Sequence, residues 1–310
     1  MTAPDILFQE VAPRDGLQIE PVWVETDDKV RMIDALSHMG FTRIEVSSFV
    51  SPKAIPALSD ADQVFARIER VPGVTYVALV PNLRGAERAL AAGADELNLV
   101  MSASETHNRA NMNMSGEASF AAFQQIAQAV GGTGASVNGT VATAFGCPFE
   151  GAVDEDRVVD LVKRYRAFGA TGITLADTTG MANPLQVERL VGKILWHVPH
   201  EALTLHFHDT RGLGLANVLA AYRAGARRFD GSLGGLGGCP FAPGASGNIC
   251  SEDAVAMAEE MGMATGIDLP ALIDLARTLP GLLGHDVPGQ VMKAGRVSDL
   301  HPVPDRLRIV

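Results

Sequence analysis

The stretch RYRAFGATGITLAD, residues 164–177, contains the unit that decides the fold. Helical periodicity runs up to Phe168, Gly169 stands where the C-cap of a helix is expected, and a short β-rich apolar run follows. Similar junctions from helix to strand occur at Gly40, Gly93 and Gly225. A chain that alternates helices and short buried strands in this way favours an α/β fold with a parallel sheet.

Eight runs along the chain have strand character. We predict strands at 5–11, 43–48, 74–80, 95–101, 135–144, 171–177, 202–208 and 227–232. Amphipathic stretches between them predict helices at 27–39, 83–92, 119–130, 154–168, 184–198 and 215–224. Eight such units predict a TIM (β/α)8 barrel; a doubly wound open sheet is the alternative, but its Gly-rich dinucleotide turn is missing from the sequence.

The end of the chain differs from the rest. It turns helical after Asp253, at 254–261 and 269–279, and a Pro- and Gly-rich tail follows from Gly281. We predict a barrel catalytic domain over residues 1–265 and a C-terminal helical extension over 266–310 that packs on the barrel.

The composition limits the classes of function. The 310 residues carry a formal net charge of −11, so nucleic acid and anionic membranes are not expected partners. Three cysteines in so long a chain do not form a disulfide framework, and the first ten residues lack the pattern of a signal peptide. We therefore expect a cytoplasmic globular protein.

The segment His206-Phe207-His208 ends the seventh predicted strand. Side chains alternate across a strand, so the two imidazoles lie on one face and form half of a metal site. Two unrelated histidines, one buried and one at a frayed strand end, are the alternative.

Other polar residues fall at the ends of predicted strands, where chemistry collects in a TIM barrel. They are Asp15, Glu45, Asn98, Thr143, Asp177 and Thr178. A divalent cation would pair Asp15, and with it Glu45, with the two histidines. The alternative for Asp15 is a helix N-cap or a turn; for Glu45 and Asp177 it is an interior salt bridge, with Arg14 or a lysine as partner.

A glycine-rich stretch at 234–247 contains Cys239. It is either a surface loop of no consequence or a mobile loop that delivers a reactive thiol to a site. Spacing alone does not separate Cys239 from Cys147 and Cys250, although Cys250 fits a packing residue better.

Five segments resemble the 3-hydroxy-3-methylglutaryl-CoA (HMG-CoA) lyase family of metal-dependent barrel lyases. They are EVAPRDGLQ (10–18), IEVSSFVSP (44–52), GCPFEG (146–151), HFHDT (206–210) and GLGGCPFA with GASGN (235–242 and 244–248). The similarity extends to about residue 265, and the GLGGCP element with its downstream Gly-Asn is the most specific part.

The resemblance implies cleavage of a 3-hydroxyacyl-CoA into acetyl-CoA and a keto acid with Mg²⁺ or Mn²⁺. It implies that the metal is held by Asp15, His206, His208 and Asn248, and that the catalytic residues are Arg14, Cys239 and His206. Arg14 would stabilise the enolate of acetyl-CoA and Cys239 would pass it a proton. Substrate-binding or orienting roles fall to Gln18, Glu45, Ser48, Asn111, Asp177, Thr178 and Glu252. An acyl-CoA partner and a homodimer or higher homo-oligomer are also expected.

Three departures from the family pattern concern the substrate. Residues 19–21 read Ile-Glu-Pro where Asn-Glu-Lys is common, Arg211 replaces an aromatic residue, and the loop 104–115 carries an unusual run of Asn, His and Met. The alternatives are therefore lyases for citramalyl-CoA or 3-hydroxy-3-isohexenylglutaryl-CoA, followed by a Claisen condensing enzyme, a pyruvate aldolase and a barrel that only binds an acyl-CoA or a partner protein.

Overall fold

A computed structural model describes residues 4–238, 247–300 and 302–304. Eight parallel strands close into a barrel in the order β1 to β8. Their bounds are β1 Leu7–Glu10, β2 Arg43–Ser48, β3 Thr75–Leu79, β4 Glu96–Ser102, β5 Ser136–Ala142, β6 Gly172–Asp177, β7 Leu203–Phe207 and β8 Arg228–Gly231. The prediction of a TIM barrel is confirmed, and each observed strand overlaps one predicted strand.

Helices surround the barrel and continue beyond it. They are α1 Thr26–Ser37, α2 Ala61–Arg67, α3 Leu83–Ala91, α4 Glu105–Met112, α5 Gly116–Val130, α6 Glu155–Ala167, α7 Pro184–Ile194, α8 Gly214–Arg223, α9 Ser251–Glu260, α10 Leu269–Ala276, α11 Leu279–Leu283 and α12 Val291–Ala294. All six helices predicted between strands are present. The helix α2 was not predicted from the sequence.

The prediction of a loop over 104–115 was wrong, because this segment contains α4. Ser104 caps the helix by accepting the N–H of His107, and the helix ends at Asn113, which adopts a left-handed conformation. Asn, His and Met favour helices only weakly, so the cap and tertiary contacts decide the conformation here. Sequence periodicity over eight residues cannot supply that information.

Polar side chains fill the inside of this barrel, whereas branched apolar side chains usually fill the interior of a TIM barrel. Asn138 Nδ2 donates to Asn98 Oδ1 and to Thr174 Oγ1, each at 3.0 Å, and Thr140 Oγ1 donates to Asn98 Oδ1 at 2.7 Å. These bonds satisfy the buried amides and hydroxyls. The apolar core instead lies between the strands and the helices, with buried residues such as Leu175, Phe229 and Leu190.

The C-terminal helices pack against the barrel close to its β1 and β8 strands. The Asp253 carboxylate at the start of α9 accepts the N–H groups of Gln290 and Val291, and Gly289 N–H donates to Gly234 O at 3.0 Å. Among the residues described, no helix combines the length and apolarity needed to cross a bilayer.

The close approach of α6 to β5 gives a test of the packing. Tyr165 on α6 donates its hydroxyl to Leu99 O and Thr140 O, and a Cβ at Gly139 would lie 2.3 Å from its ring. We expect Gly139→Ala to lower the free energy of unfolding by about 2 kcal/mol, because overpacked cores lose roughly 1–3 kcal/mol. Urea denaturation measures this change.

Gly192 in α7 is the matched control, because a Cβ there would meet no atom within 4 Å. Gly192→Ala should stabilise the protein by about 0.5–1 kcal/mol through helix propensity. Equal effects of the two substitutions would contradict the packing argument.

Candidate active site

A π-helical turn at Ala12–Gly16 follows β1 and carries Arg14 and Asp15 at the carboxyl end of the barrel. The N–H groups of Arg14 and Asp15 both donate to Val11 O, at 3.1 and 2.8 Å. Such single π-helical turns occur frequently at functional sites. Both side chains are buried, at 9% and 6% exposure for the two residues.

His206 and His208 lie on one face of β7 and its end, as their spacing predicts. Their Nε2 atoms are 3.1 Å apart, and His208 Nε2 lies 3.9 Å from Asp15 Oδ2. Asp15, His206 and His208 each offer one ligand atom, and these three atoms lie within 4.8 Å of one another. These three residues therefore form a group that could hold a metal ion.

Asn248 completes this cluster from the chain segment that follows β8. Its Nδ2 donates to Asp15 Oδ2 at 2.7 Å and to Leu236 O at 3.0 Å. Within the part of the chain that the structure describes, Asn248 Oδ1 is buried and has no hydrogen-bond partner. An unpartnered amide oxygen beside two imidazoles and a carboxylate fits the mixed nitrogen and oxygen ligands of a divalent cation.

The protonation states of these groups also suit a cation. Burial opposes ionisation of Asp15, but the charges of Arg14 and the histidines outweigh it and lower its pKa to about 2. Burial and the neighbouring His206 lower the pKa of His208 to about 3, which leaves a neutral imidazole. The pKa of His206 is raised: burial would lower it, but the hydrogen bond and charge of Asp230 prevail.

Glu45 forms the interior salt bridge that the sequence analysis gave as the alternative to a place beside the metal. Arg14 Nε donates to Glu45 Oε2 at 2.6 Å, and Arg14 Nη1 donates to Asp15 Oδ1 at 2.5 Å. Asn98 Nδ2 binds the other Glu45 oxygen at 2.8 Å. Glu45 thus holds the guanidinium of Arg14 in place beside Asp15.

A cavity of about 670 Å³ opens above this cluster. Of the predicted substrate-binding or orienting residues, Gln18, Ser48, Asn111 and Thr178 line it. Asp177 and Glu252 are not part of its lining; Asp177 accepts the N–H groups of Met181 and Ala182, and Glu252 accepts that of Gly234. Cys239 lies outside the described residues.

Asp230 belongs to the site, although the sequence analysis did not select it. Its Oδ2 lies 3.1 Å from His206 Nδ1, and the two residues are paired in the register of β7 and β8. A carboxylate in this position fixes the tautomer and orientation of a metal-binding imidazole. The signal was available: Asp230 is an acidic residue in the middle of the eighth predicted strand.

Glu10 is a second residue that sequence analysis missed, and it joins three segments of the site. This fully buried carboxylate accepts Ala12 N–H at 2.8 Å, Leu233 N–H at 3.0 Å and the Ser251 hydroxyl at 2.7 Å. The turn with Asp15 follows Ala12, and Asn248 lies just before Ser251. Glu10 therefore sets the positions of the segments that carry Asp15 and Asn248, which come from opposite ends of the sequence.

The glycine-rich segment has a packing role that its composition did not reveal. A Cβ at Gly237 would lie 2.6 Å from Asn248 Nδ2 and 3.1 Å from Asp15 O. A Cβ at Gly247 would lie 2.4 Å from the carbonyl oxygens of Gly235 and Gly237. These glycines let the backbone pass directly beside Asn248 and Asp15.

Comparison with known proteins agrees with this architecture. Residues 5–279 match the family model described as HMGL-like. The chain belongs to the HMGL-like family. This bears out the resemblance found in the sequence.

Similar proteins include two bacterial relatives that are named as lyases. The hydroxymethylglutaryl-CoA lyase YngG of Bacillus subtilis is 45% identical over 94% of this chain and 98% of its own length. The (R)-citramalyl-CoA lyase of Chloroflexus aurantiacus is 44% identical over 94% of this chain and 95% of its own length.

A solved structure extends the comparison. An HMG-CoA lyase from Acinetobacter baumannii, in complex with coenzyme A and 3-methylmalate, has a TM-score of 0.95 and 62% identity, covering 98% of this chain and 100% of that chain.

The role of Glu10 predicts a pH-dependent stability. Burial raises its pKa from 4.5 to about 7, although its three hydrogen bonds lower it in part. Because the unfolded chain releases this proton near its ordinary pKa, the free energy of unfolding should fall as pH rises from about 4.5 to 7 and then level off. Glu252, raised to about 7 by burial, contributes with the same sign.

Two variants of Glu10 separate its charge from its hydrogen bonds. Glu10→Gln keeps an acceptor for Ala12 and Leu233 and should flatten the pH slope in urea unfolding between pH 5 and 8. Glu10→Ala also removes the titrating group, and because it leaves two buried N–H groups unpaired it should lower the free energy of unfolding by about 3 kcal/mol at pH 5, where the wild-type side chain is protonated. An unchanged slope in Glu10→Gln would contradict this assignment.

The contact of Asp230 with His206 predicts an effect on metal affinity. We expect Asp230→Asn to weaken Mn²⁺ binding by about 10- to 100-fold, the usual effect of losing such a partner. Electron paramagnetic resonance of free Mn²⁺ measures the affinity without turnover. Glu96→Gln, which alters a buried carboxylate at the opposite end of the barrel, is the control and should bind Mn²⁺ normally.

Proposed function

We propose that this protein is a divalent-metal-dependent carbon–carbon lyase that cleaves 3-hydroxy-3-methylglutaryl-CoA to acetyl-CoA and acetoacetate. The observation that carries the proposal is the joint placement of Asp15, His206 and His208 beside the paired Arg14 at one end of a large cavity. The relatives named hydroxymethylglutaryl-CoA lyase, which align over nearly the whole chain, support the same reaction.

The metal is proposed to be Mg²⁺ or Mn²⁺, with Asp15, His206, His208 and Asn248 as its ligands. A divalent cation supplies the positive charge that lowers the pKa of a bound hydroxyl. Charge supports a bound cation, because Asp15 and Glu45 share the guanidinium of Arg14 and a third carboxylate, that of Asp230, contacts His206.

The side chains divide the work of the cleavage. When the C3 hydroxyl loses its proton, the bond between C2 and C3 breaks, C3 becomes a carbonyl, and the electron pair passes to the enolate of acetyl-CoA. Arg14, held by Glu45 and Asp15, faces the cavity as a fixed cation that stabilises this negative charge. Cys239 then gives the enolate carbon its proton. We assign His206, oriented by Asp230, a part in this deprotonation as one of the ligands of the cation that would lower the pKa of the hydroxyl, and the proton itself would leave to solvent in the cavity.

The second candidate is a lyase for a related branched thioester. The Chloroflexus aurantiacus relative is named (R)-citramalyl-CoA lyase and is 44% identical, close to the 45% of YngG. Citramalyl-CoA also carries a tertiary hydroxyl and a carboxylate, so the cavity wall formed by Arg14, Asp15, His206 and His208 fits both substrates.

Three further properties are proposed with this function. The enzyme acts as a homodimer or higher homo-oligomer in the cytoplasm. The two described free thiols, Cys147 and Cys250, are buried and agree with a reducing compartment. The barrel domain comprises residues 1–265 and the extension 266–310, with α10 to α12 packed against the barrel side.

The proposal predicts metal-dependent release of acetyl-CoA. Purified protein with Mg²⁺ should cleave HMG-CoA. A chelator should abolish turnover, and added Mg²⁺ or Mn²⁺ should restore it. Citramalyl-CoA and 3-hydroxy-3-isohexenylglutaryl-CoA complete the panel and identify the preferred thioester. If none of the three thioesters is cleaved with metal present, the lyase function is excluded.

Variants assign the roles of the individual residues. Arg14→Gln and Cys239→Ser should fold but lower kcat by at least about 100-fold, since each removes a group that acts in the transition state. In His208→Ala, the primary defect should be a loss of Mn²⁺ affinity. Arg164→Gln, which removes a surface pair with Glu117 and a contact with the Phe120 ring on the outside of the barrel, is the control for Arg14. Full activity of Cys239→Ser would refute its role as proton donor.

A further inference from the structure

The carboxylate of Glu45 is the point at which the inside of the barrel meets the candidate active site. Nε and Nη2 of Arg14 each lie 2.6 Å from Glu45 Oε2, and Asn98 Nδ2 donates to Glu45 Oε1 at 2.8 Å. The Glu45 side chain is 1% exposed, so these partners rather than solvent set its direction. One carboxylate oxygen therefore faces the cation of the site, and the other faces the barrel interior.

The amide of Asn98 has one orientation that satisfies its neighbours. Its Oδ1 accepts the Thr140 hydroxyl at 2.7 Å and Asn138 Nδ2 at 3.0 Å. In the reversed orientation its NH2 group would face the Asn138 donor, and its oxygen would face the Glu45 carboxylate, which leaves buried polar groups without partners. The two donors on β5 thus direct the NH2 group of Asn98 toward Glu45.

The register of the strands places these donors. Asn138 on β5 is the register partner of Asn98 on β4 and, on its other side, of Gly172 on β6. A Cβ at Gly172 would lie 2.5 Å from Asn138 Oδ1, so this glycine leaves the room that the amide occupies. Asn138 Nδ2 also donates to Thr174 Oγ1 at 3.0 Å. We call Asn98, Asn138, Thr140 and Thr174 the interior amide network.

Asn138 differs from the other members of the network in its position. Asn98, Thr140 and Thr174 line the cavity, whereas Asn138 is buried and is not part of the cavity lining. An effect of Asn138 on the reaction therefore has to pass through its hydrogen bonds.

We propose that the interior amide network positions Arg14 for catalysis. Asn138 and Thr140 orient Asn98. Asn98 then holds Glu45, and Glu45 fixes the guanidinium that stabilises the enolate. A cation that is held in place before the negative charge develops needs no reorganisation during the reaction, which is why its position affects the rate. This inference rests on the proposed function.

Steady-state kinetics with HMG-CoA and Mg²⁺ test the proposal. Asn98→Leu should lower kcat by about 10- to 100-fold, the equivalent of one lost hydrogen bond to a charged group. Asn138→Leu and Thr140→Val each remove a neutral hydrogen bond to Asn98 and should lower kcat by about 3- to 10-fold. In Asn138→Leu the KM should stay within about threefold of wild type, because substrate binding in the ground state is not altered.

A double-mutant cycle shows whether Asn98 acts through Glu45. Glu45→Gln alone should lower kcat, and the addition of Asn98→Leu should then change kcat by less than about threefold, because both substitutions disturb the same contact. If the two effects multiply, Asn98 acts independently of Glu45 and the inference is overturned.

Thr204→Val is the matched control for Thr140→Val. Thr204 is a buried threonine of β7 at the opposite end of the barrel, where it lines a separate small pocket. This substitution should leave kcat and KM unchanged. An equal loss of kcat in Thr204→Val and Thr140→Val would contradict a specific role of the network.

Crystal structures of the variants provide a measurement that does not need turnover. In Asn98→Leu the Glu45 carboxylate should turn and the guanidinium of Arg14 should shift with it, and Asn138→Leu should show a smaller shift even if Asn98→Leu does not fold. An unmoved Arg14 in both variants would overturn the inference. If the wild-type enzyme cleaves no thioester, the proposed function is rejected, and the position of Arg14 in these structures decides the inference by itself.

Discussion

The site depends on the hydrogen bonds that the buried carboxylate of Glu10 accepts. Its hydrogen bonds to Ala12, Leu233 and Ser251 connect the end of β1 with the two segments that follow β8. Asp15 and Asn248 are 233 residues apart in sequence, yet their side chains meet at 2.7 Å. Closure of the barrel brings these segments together, and Glu10 fixes their relative position.

Charge balance explains how the other charged side chains of the site are arranged. Arg14 is shared by Glu45 and Asp15, and Asp230 orients His206 from the neighbouring strand. Buried carboxylates are stable only with partners, and the described residues here supply more acidic than basic groups. A divalent cation would satisfy this excess together with the unpartnered oxygen of Asn248. The same arrangement leaves Arg14 facing the cavity.

The polar side chains of the candidate site come from a few neighbouring strands of the barrel. Arg14 and Asp15 follow β1, His206 and His208 lie on β7 and just after it, and Asp230 lies on β8. Helix α4 lies across the barrel after β4, and the loop after β5 contacts its start, where Cys147 Sγ donates to Ser104 Oγ and Glu150 accepts Thr106 N–H.

Much of this could be predicted from the sequence. Short apolar runs rich in β-forming residues, together with glycine-terminated helices, located eight strands, because these signals are local. The spacing of His206 and His208, and the position of Asp15 after a strand, placed three side chains at one rim. Helix α4 was missed because its cap at Ser104 and its clamp by Asn108 act through contacts outside its own eight residues.

The sequence by itself determined the barrel, the pair of histidines and the family, since each depends on patterns within short segments. Only the tertiary structure decided that Glu45 binds Arg14, that Asp230 supports His206, and that Glu10 joins the segments of Asp15 and Asn248. Apart from Glu10 and Ala12, which are 2 residues apart, these partners lie between 24 and 241 residues apart, as with Asp230 and His206 or Ser251 and Glu10. No local pattern encodes such pairs, because barrel closure and strand register set their distances.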